Sequence, residues 1–133
     1  MVFIALPPFS PIVYGYDNLS NAVLVTCPME VEGHQLVAVL DAIGRLLASH
    51  PGSRLLLDLK NLVALDAPNL AKIVEEWLPA RHAQGLEIIA LVPPTKKRIL
   101  SAIEALKAGA AHLGIRVATF SVTEGAHQWL TQH

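Results

Sequence analysis

Cysteine is nearly absent: Cys27 is the single one in 133 residues. No intrachain disulfide can form and a thiolate zinc site has almost nothing to work with, so a reducing compartment is the simple expectation. Long apolar runs are missing as well. The opening "MVFIALPPFSP" has no basic n-region and Pro7 and Pro8 interrupt it early, which does not fit a secretory leader. Nothing approaches the roughly 18 apolar residues of a membrane span. Together these absences predict a cytoplasmic chain with no transmembrane segment and an apolar N-terminal extension over residues 1–10. Charge of one sign is also lacking. Ten Lys and Arg stand against eleven Asp and Glu, a formal net charge of −1 with 16% of residues charged. Neither disorder nor a nucleic-acid partner is expected from that balance.

What remains is a chain that is 53% hydrophobic, suited to one domain over 1–133 with a real core. "PIVYGY" (11–16) and "AVLVTC" (22–27), separated by the polar "DNLSN", read as a β-hairpin. In "GHQLVAVLDAIGRLLASH", Leu36, Leu40, Ile43 and Leu47 recur at i, i+4, i+7 and i+11, one stripe of an amphipathic helix that Pro51 and Gly52 end. Leu55 to Leu57 form an unalternating apolar run, the mark of a strand covered on both faces. "LEIIALV" (86–92) repeats it and stops at Pro93 and Pro94.

Between those strands, Leu70, Ile73, Val74, Trp77 and Leu78 mark a second helix, predicted to close at Pro79 or soon after. A third helix is expected from about Thr95, with Ile99, Ile103, Leu106, Ala110 and Leu113 on one face and Gly114 as its stop. "IRVATF" (115–120) is the last strand. Ser121 and Glu124 have capping-box spacing and predict a final helix through Ala126, Trp129 and Leu130. The order β-β-α-β-α-β-α-β-α predicts an α/β fold: one mixed, mostly parallel sheet with an N-terminal hairpin and about four helices.

The junction "LVALDAPNLAK" (62–72) places a strand end against a helix start, where α/β proteins often put their chemistry. If Asp66 is the N-cap, Ala67 and Pro68 follow as the first helical residues. Pro68 has no N–H, so the carboxylate must take its hydrogen bond from Asn69.

These residues resemble a known family. "LLLDLKNLVALDAPNLAKIVEEW", "HAQGLEIIALVPP" and "GIRVATFSVTEGAHQWL" look like a STAS domain, the fold of the anti-sigma factor antagonists. The spacing of Phe120, Ala126, Trp129 and Leu130 favours the SpoIIAA-like set. The resemblance spans residues 11–131 and rests on apolar patterns and a few punctuating residues. It implies a non-enzymatic, regulatory interaction module that binds a kinase or sigma-factor regulator through the strand-to-helix loop. In that family a Ser or Thr after the loop Asp accepts a phosphate that breaks the complex. Asp66 matches the Asp, but Ala67 stands at the acceptor position, and Pro68 and Asn69 also depart from the pattern. With no hydroxyl at Ala67, no phosphate can be installed there. The partner surface expected from the resemblance comprises Lys60, Asn61, Asp66, Ala67, Pro68, Asn69, Lys72, Glu75 and Glu76.

Other residues suggest further chemistry. In "TKKR", Thr95 as a cap would crowd Lys96, Lys97 and Arg98 into a first turn, where the helix dipole disfavours cations by roughly 0.3 to 1 kcal/mol each. A bound anion, an acidic partner or a phospholipid head group would offset that, as would simple solvation and salt screening. This allows an alternative function, a carrier of a lipid or anionic ligand, and a peripheral membrane contact. The six histidines never fall at i, i+3 or i, i+4, so no helix offers a metal-ligand pair. Asp58, inside an apolar strand, needs partners: backbone groups, Lys60 or Arg54, or else an acid–base pairing with Asp66. Trp77 and Trp129 are expected in the core. The apolar Met1–Pro8 has to cover this domain or a second copy, which allows a homodimer. No phosphate loop, nucleophile elbow or Ser-His-Asp context is present, so no catalytic residue, metal or cofactor is predicted.

Overall fold

The computed structural model describes the backbone of residues 2–5 and all of residues 12–133. Six strands form one mixed sheet in the order β1-β2-β3-β5-β7-β8. Its strands are β1 (Val2–Ala5), β2 (Val13–Asp17), β3 (Ala22–Thr26), β5 (Arg54–Asp58), β7 (Ile88–Val92) and β8 (Arg116–Thr119). The expected hairpin is β2 antiparallel to β3, closed by a turn in which Asn21 takes φ 49°, a left-handed conformation that Asn tolerates. From β3 onward the pairings are parallel. Of the N-terminal extension, β1 adds antiparallel to β2; residues 1 and 6–11 lie outside the described residues.

The unalternating strands have their cause in two helical layers. Leu55, Leu57, Ile89 and Leu91 pack with Leu36, Leu40, Ile43, Ile73, Trp77, Ile99, Ile103 and Leu106 of the helices on one face. Leu56, Ala90 and Val92 face the other way, onto Ala126 and Leu130. A pleated strand sends successive side chains to opposite faces, so every residue of Leu55–Leu57 meets a helix.

The first layer holds α1 (Gly33–Ser49), a rod from residue 67 to 83, and α4 (Lys97–His112); the second holds α5 (Thr123–Gln132). A short second sheet pairs β4 (Val31–Glu32) with β6 (Leu62–Ala64) in parallel. Strands of two and three residues give too little alternation to be seen in the sequence.

The second helix, expected to close at Pro79 or soon after, runs on as a rod to Ala83. It consists of α2 (Ala67–Ala71), a π-helical stretch (Lys72–Trp77) and α3 (Leu78–Ala83), with Pro79 in the first turn of α3. Proline breaks an α-helix by lacking an N–H and by clashing with the carbonyl four residues back. In the widened π turn the Leu78 N–H reaches five residues back, to the Ile73 carbonyl, so the local geometry around residues 73–79 is not that of the α-helix that proline interrupts.

Two helix starts also differ from expectation. α4 is capped by Lys96 rather than Thr95, and no side chain makes the capping bond. α5 is capped by Val122 rather than Ser121, with no side-chain capping bond, and the Thr123 hydroxyl in its first turn donates to Asp58 instead. Gly114 does end the turn after α4, with φ 90°.

Candidate functional site

The carboxyl ends of β3, β5, β7 and β8 lie side by side; the segments after β5 and β7 carry Lys60, Asn61 and Thr95 to Arg98, whereas Asp66 to Asn69 follow β6 of the short sheet. Asp58 ends β5 and is 3% exposed. By strand alternation it points with Leu56 toward α5, and there the Thr123 hydroxyl donates to its Oδ2 at 2.5 Å. The Lys60 ammonium donates to the same oxygen at 3.0 Å, and the Lys60 amide donates to Oδ1 at 3.2 Å. Lys60 Nζ also lies 3.4 Å from the Thr123 hydroxyl.

Three donors therefore hold a buried carboxylate, which meets the requirement that such a charge be paired and hydrogen-bonded. Of the partners expected for Asp58, backbone and Lys60 are present. Arg54 instead donates to the carbonyls of Ser20 and, at 2.6 Å, Leu130. The pairing of Asp58 with Asp66 is not formed. Asp66 caps α2, accepting from the Asn69 amide at 3.1 Å and from Asn69 Nδ2 at 2.7 Å.

Cys27 follows β3 at the same edge. Burial pushes its thiol up to about 12, and the charge of Asp58 adds to the shift. A thiol that stays protonated is a poor nucleophile and a poor metal ligand. Among the described residues, no group of three or more His, Cys, Asp or Glu could hold a metal ion.

The residues expected to form a partner surface fall in three groups. Asp66, Ala67 and Pro68 are exposed at the start of α2, with Asn69 half-buried behind them. Lys72, Glu75 and Glu76 are exposed on the π-helical stretch. Lys72 and Glu76 border a surface groove of about 450 Å³ between α1 and the rod, with Val37 and Asp41 on the α1 side and Trp77 and Arg81 beside them. Trp77 is buried and its Nε1 donates to the Leu40 carbonyl of α1 at 2.8 Å. Lys60 stays exposed with its ammonium on Asp58, while the half-buried Asn61 donates from Nδ2 to the Cys27 carbonyl at 2.6 Å.

Of "TKKR", all four residues are exposed, but Lys96 precedes the helix and meets Glu30 at 2.9 Å. The hydrogen bond and charge of Lys96, with Arg98 adding, hold the Glu30 carboxyl below its usual range. Only Lys97 and Arg98 of the three cations enter the first turn of α4. An acidic side chain of the chain itself thus faces this basic start.

Two clusters were not anticipated. One is Thr123 on Asp58. The other, at the opposite end of the sheet, joins Asp17, Ser20 and His127: the Ser20 hydroxyl donates to Asp17 Oδ2 at 2.7 Å, and His127 Nε2 lies 2.5 Å from the same oxygen. Both hydroxyl and imidazole address the carboxylate rather than each other, so this is not a nucleophile–base relay. Burial raises the Asp17 carboxyl, but the bonds from His127, Ser20 and the Leu19 amide outweigh it and leave the group lowered. The signal was in the helix period: Thr123 and His127 share the face of Ala126 and Leu130, the face that α5 turns to the sheet.

Beneath the rod, Leu36, Leu57, Ile73, Trp77 and Leu106 bound an apolar cavity of about 20 Å³. Among the described residues, no helix is long and apolar enough to cross a membrane. No family model, curated protein sequence or solved structure matches the chain significantly.

Proposed function

We propose that this chain is a non-catalytic interaction module of the STAS, SpoIIAA-like kind, which docks a protein partner on the face formed by α2 and the π-helical stretch. The observation that carries the reading is continuity: the exposed turn Asp66–Asn69 runs directly into Lys72 and Glu76 on the rim of the 450 Å³ groove. Charged residues of both signs border that groove, which suits recognition by charge pattern, and π-helical turns occur frequently at functional sites. A kinase or sigma-factor regulator is the partner class that the resemblance implies. Regulation by phosphate at the loop is not part of the proposal, since Ala67 has no hydroxyl.

The carrier alternative has less support. A cavity of about 20 Å³ is close to the room of a single water-sized probe, far short of an acyl chain, and the Lys96 ammonium already has Glu30.

Capture from host lysate with the wild-type chain and with Lys72→Glu/Glu76→Lys tests the reading, provided circular dichroism shows both folded. The double reversal should remove the specific partner, while Glu87→Lys, exposed at the opposite end of the sheet, should not. Identical profiles for wild type and the double variant would sink the proposal.

A further inference from the structure

Ser53 immediately precedes β5, at the amino end of the sheet, and α3 ends nearby at Ala83. Ser53 is 5% exposed and its Oγ has no protein partner; the Nε of Arg81 is also buried and unpartnered. Both residues line one small pocket, with Leu47, Gln84 and Leu86, that has about 10 Å³ of room. That is close to the space of one water-sized probe.

The donor set defines the guest. Arg Nε–H can only donate, and a Ser hydroxyl can donate or accept. A particle that bridges the two must therefore be an acceptor. Arg81 is also fixed in place. A Cβ at Gly44 would lie 1.7 Å from its Nη1, so the guanidinium occupies the notch that this glycine leaves in α1. Its Cζ sits 5.6 Å from the centre of the Trp77 ring. Among the described residues, no carboxylate lies within ion-pair distance of Arg81. Buried polar atoms left unpaired are costly, and the residues that carry these two line one pocket.

We propose that this pocket is a binding site for a single hydrogen-bond acceptor of water to halide size, held between Ser53 Oγ and Arg81 Nε. The guest supplies the acceptor that the buried Nε of Arg81 lacks, on a residue that also lines the groove between α1 and the rod. It thus locks the position of the Arg81 wall. The site does not depend on what the groove binds.

Crystals of the full chain grown in sodium chloride, with a second set transferred to sodium bromide and measured at the bromine absorption edge, provide the test. A density peak within hydrogen-bonding distance of both atoms is expected. Without anomalous signal it is water, with it a halide, and either outcome supports the site. A featureless pocket, or a Ser53 hydroxyl turned onto a protein acceptor, overturns it. Ser53→Ala crystals should lose the peak or most of its occupancy; an undiminished peak held by Arg81 alone would overturn the two-point site.

Discussion

His127 on α5 lies 2.5 Å from the Asp17 carboxylate at the end of β2, a contact between residues 110 apart in sequence. It fastens α5, which among the described residues is the one helix on the second face of β5 and β7, to the hairpin at the far side of the sheet. Because Asp17 also accepts from Ser20 and the Leu19 amide, removing His127 leaves a carboxylate that still has partners. Removing the carboxylate strips all three donors at once.

The sign of the acid response follows. The Asp17 carboxyl is lowered in the folded chain from 3.8, so its contribution is complete above that unfolded value and fades as pH falls through the lower folded value. Asp17→Asn should lower stability at pH 7 by about 1 to 3 kcal/mol, the cost of disturbing a buried polar network. The same variant should lose less than the wild type on going from pH 5 to pH 2. Urea unfolding at a series of pH values measures both, and parallel acid limbs for the two proteins would contradict the assignment.

Thr123 supplies the hydroxyl that Asp58 needs on the side facing α5. Thr123→Ala should cost about 1 to 2 kcal/mol, and Thr123→Ser, which keeps the donor, should recover most of it. Equal losses in the two variants would mean that the methyl group, not the hydroxyl, holds α5 on β5. Urea midpoints at constant slope separate the two.

Cys27 should be chemically silent while the chain is folded. With its thiol pushed up to about 12 and its side chain buried, a disulfide reagent at pH 8 finds almost no thiolate to attack. Modification should occur only through unfolding, at a rate that rises with urea and that Asp17→Asn accelerates. Stoichiometric labelling within seconds under native conditions would refute this.

The layers were legible because burial on both faces writes itself into a strand as an unbroken apolar run, and Leu55–Leu57 and Ile89–Leu91 carry such runs. The Asp66 cap was legible for a similar reason, since Pro68 left Asn69 as the nearby donor. The rod was not. Its continuation past Pro79 depends on a π turn, and a single residue of extra winding leaves no mark in a hydrophobic period. The polar clusters were half visible. Asp58 announced a need for partners, but Thr123 and His127 come from a helix many residues later, and no local spacing links them to β5 or β2. The basic start of α4 left an external anion and plain solvation both open, because Glu30, which pairs with Lys96, belongs to a distant loop.

The π-helical stretch also makes a prediction about the groove. Trp77 is the last residue of that stretch, and its Nε1 donates to the Leu40 carbonyl inside α1, so the indole joins the rod to α1 along the groove. Trp77→Phe keeps an aromatic ring but removes that donor, and it should cost about 1 kcal/mol for the hydrogen bond and a similar amount for the smaller ring. The consequence for docking is sharper. On the proposed docking reading, a rod freed from Leu40 shifts Glu76 and Arg81 relative to Asp41, so partner capture should weaken more in Trp77→Phe than in Thr123→Ala, even where the two are equally destabilised. Matched losses of capture in the two variants would show that binding follows overall stability, and that the groove between α1 and the rod has no particular part in it.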